Sequence, residues 1–424
     1  MSGLLYILDE PTIGLHPKDT DGIVEILKDM RDLRNTVLVI EHDAGVLQQV
    51  DHLVDIGPKA GIHGGQIVAQ GSFAEVLKCK NSATAYAMQH LTSKVHAYRK
   101  PSSYIQITNA CRHNLQHMDV QLPIHLLCGI CGVSGSGKST LVFDVLAKGN
   151  KQTEVNRVEG LAQFDQMICI DQQPPIRMKR SNIATFTNLA TPLRKVYAKT
   201  KQAKALGFTD AYFSFNSKKG RCEHCEGMGT IKSHMLFFQD QEVICPQCHG
   251  KQFQEQVLRV TYHGYSIHEV LQLSVEEAIT VFKEEKEIQK ILRLLEHIGL
   301  GYVKLNQSLT TLSQGEAQRL KLARELLQTK GKHNLYLLDE PTVGLHMQDV
   351  ENFIKLLQEL VEEGHSILVI EHNEQLLAAC DYLIELGPQG GVHGGQLIAQ
   401  GSPLALLHQN ESVIAPYLKR FIKD

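Results

Sequence analysis

The sequence predicts an α/β protein with doubly wound and mixed sheets. Three observations carry that expectation. A glycine-rich loop, GVSGSGKST at Gly132–Thr140, follows an apolar run and precedes the helical-looking LVFDVLA. The segment LYLLDEP at Leu335–Pro341 reads as a buried strand ending in two acids. A long internal repeat returns at one constant offset, which sets Asp9 against Asp339.

Composition bounds the rest. A chain of 424 residues, 43% hydrophobic and 21% charged, supports two or three domains and excludes wholesale disorder. No apolar stretch approaches the roughly 20 residues that cross a bilayer. The amino terminus, MSGLLYILDEP, lacks the basic region and small-residue cleavage site of a secretory signal. A soluble, cytoplasmic protein without membrane partners is expected. The net charge of −3 gives no global positive field, so nucleic-acid binding would need a local patch.

The repeat comes first along the chain. ILDEPTIGLH at Ile7–His16 recurs as LLDEPTVGLH at Leu337–His346. LVIEHD at Leu38–Asp43 recurs as LVIEHN at Leu368–Asn373, and DIGPKAGIHGGQIVAQGS at Asp55–Ser72 as ELGPQGGVHGGQLIAQGS at Glu385–Ser402. The offset never slips from Ile7 to Ser72, so the chain holds two copies of one domain's carboxyl-terminal portion. Residues 1–80 are expected to be the end of a first domain, 81–103 a polar, irregular linker, and 104–424 a complete second domain. An insertion interrupts the second domain at about 177–256, and Ser274–Glu296 reads as a charged amphipathic helical region.

The loop at Gly132–Thr140 fits GxxxxGK[ST], and its strand–loop–helix setting is what that pattern requires. Glycines let backbone N–H groups turn toward phosphates, and the following helix adds its positive end. Gly132, Ser134, Gly135, Gly137, Lys138, Ser139 and Thr140 form the expected phosphate cradle. Lys138 is placed to reach the β- and γ-phosphates, and the Ser139 hydroxyl to coordinate Mg²⁺. Asp339 would hold that Mg²⁺ directly or through water, and Glu340 would orient the attacking water. Two acids can also simply cap a turn, but the pair recurs as Asp9–Glu10. His42 and His372 follow their acidic pairs at one fixed distance, which favours a functional reading for both. LSQGEAQRLKLAREL at Leu312–Leu326 places a Ser–Gly turn at the head of an amphipathic helix.

Cys222-x2-Cys225, nineteen residues, then Cys245-x2-Cys248 is the spacing of a four-thiolate structural Zn²⁺ site. Gly227, Gly229 and Gly250 suit its tight turns; disulfide pairing is the alternative. From Arg177 to Arg221 there are eleven Lys or Arg and one acid, Asp210. That local excess nominates Arg177, Lys179, Arg180, Arg194, Lys195, Lys218, Lys219 and Arg221 as phosphate contacts to DNA, against the plain alternative of a solvated basic face.

Together these segments resemble an ATP-binding cassette, and specifically the UvrA family of nucleotide excision repair, over essentially the whole chain. DQQPPIRMKRSNIATF at Asp171–Phe186, FSFNSKKGRCEHCEGMG at Phe213–Gly229 and LGPQGGVHGG carry the resemblance alongside the motifs above. It implies an ATP hydrolase that binds damaged duplex DNA, with ATP, Mg²⁺ and Zn²⁺ as cofactors. It further implies that Gln172 senses Mg²⁺ and water, and that Ser313 and Gly315 close over ATP on an opposing cassette. Asp9, Glu10 and His42 match the first cassette. Gln314 departs from the family, which usually has Gly there.

In the second copy a long stretch of chain, from Lys138 to Asp339, separates the loop lysine from the acid, whereas only eight residues precede Asp9. The first copy therefore lacks its own phosphate loop and signature. Its ATP site requires a homodimer or a separately encoded amino-terminal half. Docking of the excinuclease B subunit is not expected, because the usual binding insertion is absent. Two alternatives to a repair ATPase stand beside it: a paralogue conferring self-resistance to DNA-binding drugs, and an inactive truncated gene product.

Overall fold

The structure is a computed structural model that describes residues 2–58, 64–89, 98–149, 157–171, 180–233 and 241–422. The chain forms two compact units, Met1–Gln173 with Thr329–Asp424, and Pro174–Gln328.

In the first copy of the repeat, β1 (Leu5–Asp9) and β2 (Thr36–Ile40) run parallel, with Ile7 opposite Leu38. Helix Pro17–Asp32 crosses between them, started by Pro17 in its first turn and by His16, whose ring caps the Lys18 N–H. A separate antiparallel pair follows, β3 (Leu53–Gly57) with β4 (Gln66–Gly71). The stretch expected to be an irregular linker instead contains helix Ala83–Gln89. Two hydroxyls explain it: Ser82 and Thr84 donate to the Asp55 carboxylate at 2.5 and 2.9 Å, and Ser82 also accepts the Ala85 N–H at 2.8 Å. Polar composition here marks a helix start tied to β3.

The second copy opens with β5 (Tyr104–Ala110) and β6 (Met118–Pro123), then β7 (Leu127–Gly132), β8 (Arg157–Glu159) and β9 (Gln166–Ile170). Strands β6-β5-β8 make a small antiparallel sheet.

The second unit carries the hairpin of β10 (Thr230–Ser233) and β11 (Gln241–Ile244), and the short pair β12 (Thr261–Tyr262) and β13 (Tyr265–Ser266). The charged helical region expected at Ser274–Glu296 is two helices, Val275–Val281 and Lys286–His297, and helix Ile267–Gln272 comes just before it. Ser274 breaks Ile267–Gln272 from Val275–Val281: its hydroxyl accepts the Glu277 N–H while Glu277 accepts the Ser274 N–H, a reciprocal cap that starts a new helix. Helix Lys286–His297 buries Ile288, Ile291, Leu292 and Leu295, one face at helical spacing.

Back in the first unit, β14 (Asn334–Asp339), β15 (Ser366–Ile370), β16 (Tyr382–Gly387) and β17 (Gln396–Gly401) complete a six-stranded sheet ordered β17-β16-β7-β15-β14-β9. All neighbours are parallel except β16 and β17. Strands β7, β14 and β15 are buried at every residue, the signature of a sheet covered on both faces. The register sets Asp339 beside Ile370, and Ile370 beside Ile130, so the carboxyl ends of the three strands converge at one edge. Ligands bind at that edge in parallel α/β sheets. Among the described residues, no helix is long and apolar enough to cross a membrane.

Candidate nucleotide-binding site

The phosphate loop leaves β7 at Gly132, whose φ of 133° and position leave no room for a side chain: a Cβ would lie 1.9 Å from the Leu386 carbonyl oxygen. Gly135 and Gly137 also have positive φ, so the loop turns its N–H groups inward as the motif demands. A second glycine-rich segment braces it. The Gly391 N–H donates to the Gly135 carbonyl and the Gly395 N–H to that of Ser136, both at 3.0 Å. The Asn114 amide donates to Gly135 and Gly391, at 2.9 and 3.2 Å. The repeated GPQGGVHGG motif is therefore a backbone-to-backbone clamp on the phosphate loop.

Lys138 is buried, and its ammonium donates to the Gly132 and Val133 carbonyls at 2.9 and 3.0 Å. Burial lowers its pKa, opposed chiefly by the Glu340 charge. Ser134, Gly135 and Ser139 are exposed at the loop surface. The helix after the loop, Thr140–Leu146, is wound wide, with the Ala147 N–H reaching the Val142 carbonyl at 2.9 Å.

Asp339, buried at the end of β14, is pushed up to about 6 by burial and by the Glu371 charge, with Lys138 pulling it down. Glu340 follows in the left-handed region at φ 46°, a strained conformation for a non-glycine residue and characteristic of functional sites. Its carboxylate lies 3.7 Å from His372 Nε2. Burial, then Lys138 and His16, drive the His372 pKa well below its usual value, so its ring is neutral. The first copy repeats this arrangement: Glu10 has φ 44° and lies 3.3 Å from His42 Nε2. Asp9, Glu10 and His42 are thus brought together as in the second copy, but no phosphate loop stands with them among the described residues.

Two features were not anticipated. Glu371 is fully buried and organises the site: it accepts the Thr342 hydroxyl at 2.5 Å and the N–H groups of Thr342, His372 and Asn373 at 3.0, 2.8 and 3.0 Å. Glu41 does the same in the first copy through Thr12 and His42. The repeated Thr after Glu-Pro and the repeated Glu-His pair were the available signal. The second feature is His16, supplied by the first copy to the site of the second. It is fully buried, edge-on to His372 with ring centroids 6.0 Å apart. Its Nδ1 accepts the Lys18 N–H at 3.2 Å, which leaves the proton on Nε2, and that N–H has no acceptor among the described residues.

His16 titrates at about 4, lowered by burial first and then by the charge of Lys138. The folded state therefore binds this proton more weakly than the unfolded chain, so stability is full above pH 6.5 and is lost as pH falls toward 4. From that shift alone we expect a loss of about 3 kcal/mol between those limits, and a His16→Asn variant with a flatter acid limb in denaturant titrations. An unchanged limb in the variant would remove His16 from this role.

Other sequence-nominated residues are distributed as follows. Gln172, Arg177 and Lys179 lie outside the described residues. Ser313 begins helix Gln314–Gln328: its N–H donates to Glu316 at 2.7 Å and its hydroxyl accepts the Glu316 N–H at 3.2 Å. Gly315 is buried and Gln314 exposed, so the departure from the family pattern lies at the surface.

In the second unit the four cysteines form one buried cluster, all Sγ atoms within 4.8 Å of one another. Cys222 and Cys245 sulfurs are 3.9 Å apart, Cys225 and Cys248 sulfurs 3.6 Å. These are not disulfides, and they match the edge of roughly 3.8 Å that a tetrahedron with roughly 2.3 Å Zn–S bonds requires. The donor set fits Zn²⁺. His224 and His249 are exposed beside the cluster and are not part of it.

The basic residues divide into tied and open ones. Arg180 and Arg221 share Glu226, at 3.2 and 3.7 Å, and Arg194 donates to the Ala190 carbonyl and the Thr191 hydroxyl of its own helix. Lys195, Lys218 and Lys219 are exposed.

Comparison with known proteins follows this geometry. The model of the ABC transporter family matches residues 115–343, more than half of the chain. The chain belongs to that family. Its similarity is more specific still: it is 45% identical to UvrABC system protein A of Aquifex aeolicus and 44% identical to that of Bacillus subtilis, each across 100% of this chain. It covers 47% and 46% of those relatives, so the chain spans about half their length. The crystal structure of UvrA2 from Deinococcus radiodurans superposes with a TM-score of 0.90 at 40% identity, covering 100% of this chain and 52% of that one. The chain is thus similar to UvrA proteins along its whole length, with the cassette fold and the embedded four-cysteine cluster expected of the resemblance.

Proposed function

We propose that the chain is an ATP-hydrolysing, DNA-binding component of nucleotide excision repair. The observation that carries the reading is the assembled site itself: phosphate loop, Lys138, Asp339, Glu340 and His372 at one sheet edge, in a chain 45% identical throughout to a UvrABC protein. Its own residues divide the work. The loop N–H groups and Lys138 bind the β- and γ-phosphates. Ser139 and Asp339 would hold Mg²⁺, which supplies charge neutralisation on the transferred phosphoryl group. Glu340, held in a strained turn against a neutral His372, orients the attacking water. Ser313 and Gly315 would close over nucleotide on an opposing cassette, so hydrolysis belongs to a dimeric assembly in the cytoplasm. The four cysteines hold Zn²⁺ as a structural ion. Neither the drug-resistance reading nor the inactive-product reading is favoured by the relatives.

Damaged duplex DNA is the proposed partner, met by the basic face around the zinc module. Lys195, Lys218 and Lys219 are its strongest candidates, because they are exposed and basic, whereas Arg180, Arg194 and Arg221 already commit donors internally. Replacing the three lysines by Ala is expected to weaken binding to a lesion-bearing duplex and to reduce the log K–log salt slope by about 3. Fluorescence anisotropy over a salt series reads both. An unchanged slope rejects this face as the DNA surface; no binding by the unaltered chain at low salt rejects the DNA reading.

A further inference from the structure

The two copies exchange a histidine, and the exchange is unequal. His346 of the second copy and His16 of the first occupy the same position of the repeat. Each caps a helix through Nδ1, which accepts the N–H of Gln348 or of Lys18, so each carries its proton on Nε2. His346 Nε2 lies 3.3 Å from the Thr84 hydroxyl. That hydroxyl donates to Asp55 at 2.9 Å, so its lone pair accepts the histidine proton. The residue that repeats Thr84 is Ile414, which has no hydroxyl to offer His16. The Nε2–H of His16 is left as a buried donor with no acceptor among the described residues, a costly state.

That donor stands beside the second copy's acids. The loop ending in His16 lies on Glu340: a side chain at Gly14 would come 3.0 Å from Glu340 Oε2. At Gly344, the repeat of Gly14, nothing among the described residues lies within 4 Å of such a side chain. His16 itself is edge-on to His372, with ring centroids 6.0 Å apart. His372 holds the complementary orphan. Its Nε2 faces the Glu340 carboxylate at 3.7 Å, which favours a proton on that nitrogen. Its Nδ1 is then a lone pair, buried and without a partner among the described residues. One ring offers an unused proton, and the ring beside it an unused lone pair. Rings at this separation are within reach of one bridging water, which needs at least two polar partners to be held inside a protein.

We propose that His16 is a positioning residue for ATP hydrolysis at the second copy's site: its Nε2–H, relayed by one water, hydrogen-bonds to Nδ1 of His372 and fixes the tautomer with the proton on Nε2. That tautomer turns an N–H toward Glu340. The other tautomer would turn a lone pair toward the carboxylate and push it away. A histidine held at one nitrogen is fixed both in tautomer and in ring orientation. The inference rests on the proposed hydrolysis by Lys138, Asp339 and Glu340, and adds to it a residue of the first copy.

Two substitutions separate this role from helix capping. His16→Asn puts an amide oxygen where Nδ1 accepts the Lys18 N–H, but no donor at the reach of Nε2. His16→Gln does the reverse, because its amide N–H reaches the Nε2 position and the cap is lost. For the full chain in its assembly, kcat for ATP is expected to fall about ten- to a hundred-fold in the Asn variant at unchanged KM, and to return to within about three-fold in the Gln variant. A capping role alone predicts the opposite order. The ¹⁵N spectrum of the histidine-labelled full chain is read alongside, with the His372 signals assigned by their loss in His372→Gln. A single Nε2–H tautomer of His372 is expected in the unaltered chain and in the Gln variant, and an average of both tautomers in the Asn variant. The spectrum needs no turnover, so a chain that fails to hydrolyse ATP counts against the proposed function while the tautomer still tests this link. Three results overturn the inference: a His372 tautomer unmoved by His16→Asn, turnover kept in the Asn variant and lost in the Gln variant, or an unaltered chain with the His372 proton on Nδ1.

Discussion

A Glu340→Gln chain is expected to bind ATP with undiminished affinity and to turn it over about a hundred- to a thousand-fold more slowly. Glutamine keeps the size of the side chain and one carbonyl oxygen, so the turn at φ 46° and the contact with His372 survive. What disappears is the negative carboxylate that draws a water proton and orients the oxygen toward the γ-phosphate. In the proposed site, nucleotide affinity would rest on other groups: the loop amides, the Lys138 ammonium and Asp339 as the proposed Mg²⁺ ligand. The measurement is single-turnover hydrolysis of labelled ATP, run beside the unaltered chain in the same assembly, together with equilibrium binding of a fluorescent nucleotide. Equal turnover would place the catalytic carboxylate elsewhere. Loss of binding would show Glu340 acting on the loop through its charge on Lys138, a coupling already visible in the lysine's pKa.

The split between binding and turnover follows from how the sheet supplies the groups. β7 delivers the loop, β14 delivers the acids and β15 delivers the histidine, and the parallel register brings their carboxyl ends to one edge. That much was legible in the sequence, since each strand is a short apolar run followed by a chemically distinctive residue. The fixed offset between the copies supplied the rest, pairing Asp9 with Asp339 and His42 with His372. What was not legible was who holds whom. Glu371 looks like one more acid after a strand, and its role as the acceptor of four donors depends on Thr342 arriving from another strand end. His16 looks like a helix cap, which it is, and only the packing of the first copy against the second places its ring beside His372. Contacts between segments so distant in the chain leave no periodic trace. The irregular linker failed for a related reason: Ser82 and Thr84 read as loop residues until Asp55 of β3 is seen to bind both.

Replacing Cys245 by Ser, or stripping metal with a strong chelator, is expected to melt the cysteine module while sparing the α/β core. The second expectation rests on the cores being separate. The sheet's buried cluster draws its residues from the first unit, whereas the four cysteines form a cluster of their own against which, among the described residues, Ile231 alone packs as a partly buried apolar side chain. So little apolar surface cannot offset the entropy of ordering the two knuckles and the β10–β11 hairpin, and binding of a structural zinc of this type contributes about 10–16 kcal/mol to folding in small modules. Burial raises the Cys245 thiol, but the N–H groups of Cys248 and Gln247 outweigh it and bring the thiol down to about 6, whereas burial raises the Cys222 and Cys248 thiols, so Cys245 ionises ahead of both. The Gly229 N–H points at the Cys225 sulfur from 3.2 Å, the orientation that steadies a thiolate. Elemental analysis should return about one zinc per chain for the unaltered protein. In the serine variant, amide exchange across 222–252 should rise about a thousand-fold while the protection of β7, β14 and β15 stays unchanged. A metal-free chain that keeps its exchange protection in 222–252 would make the cluster a packed thiol core and end the zinc assignment. Simultaneous loss of protection in the sheet would show that the two units fold as one.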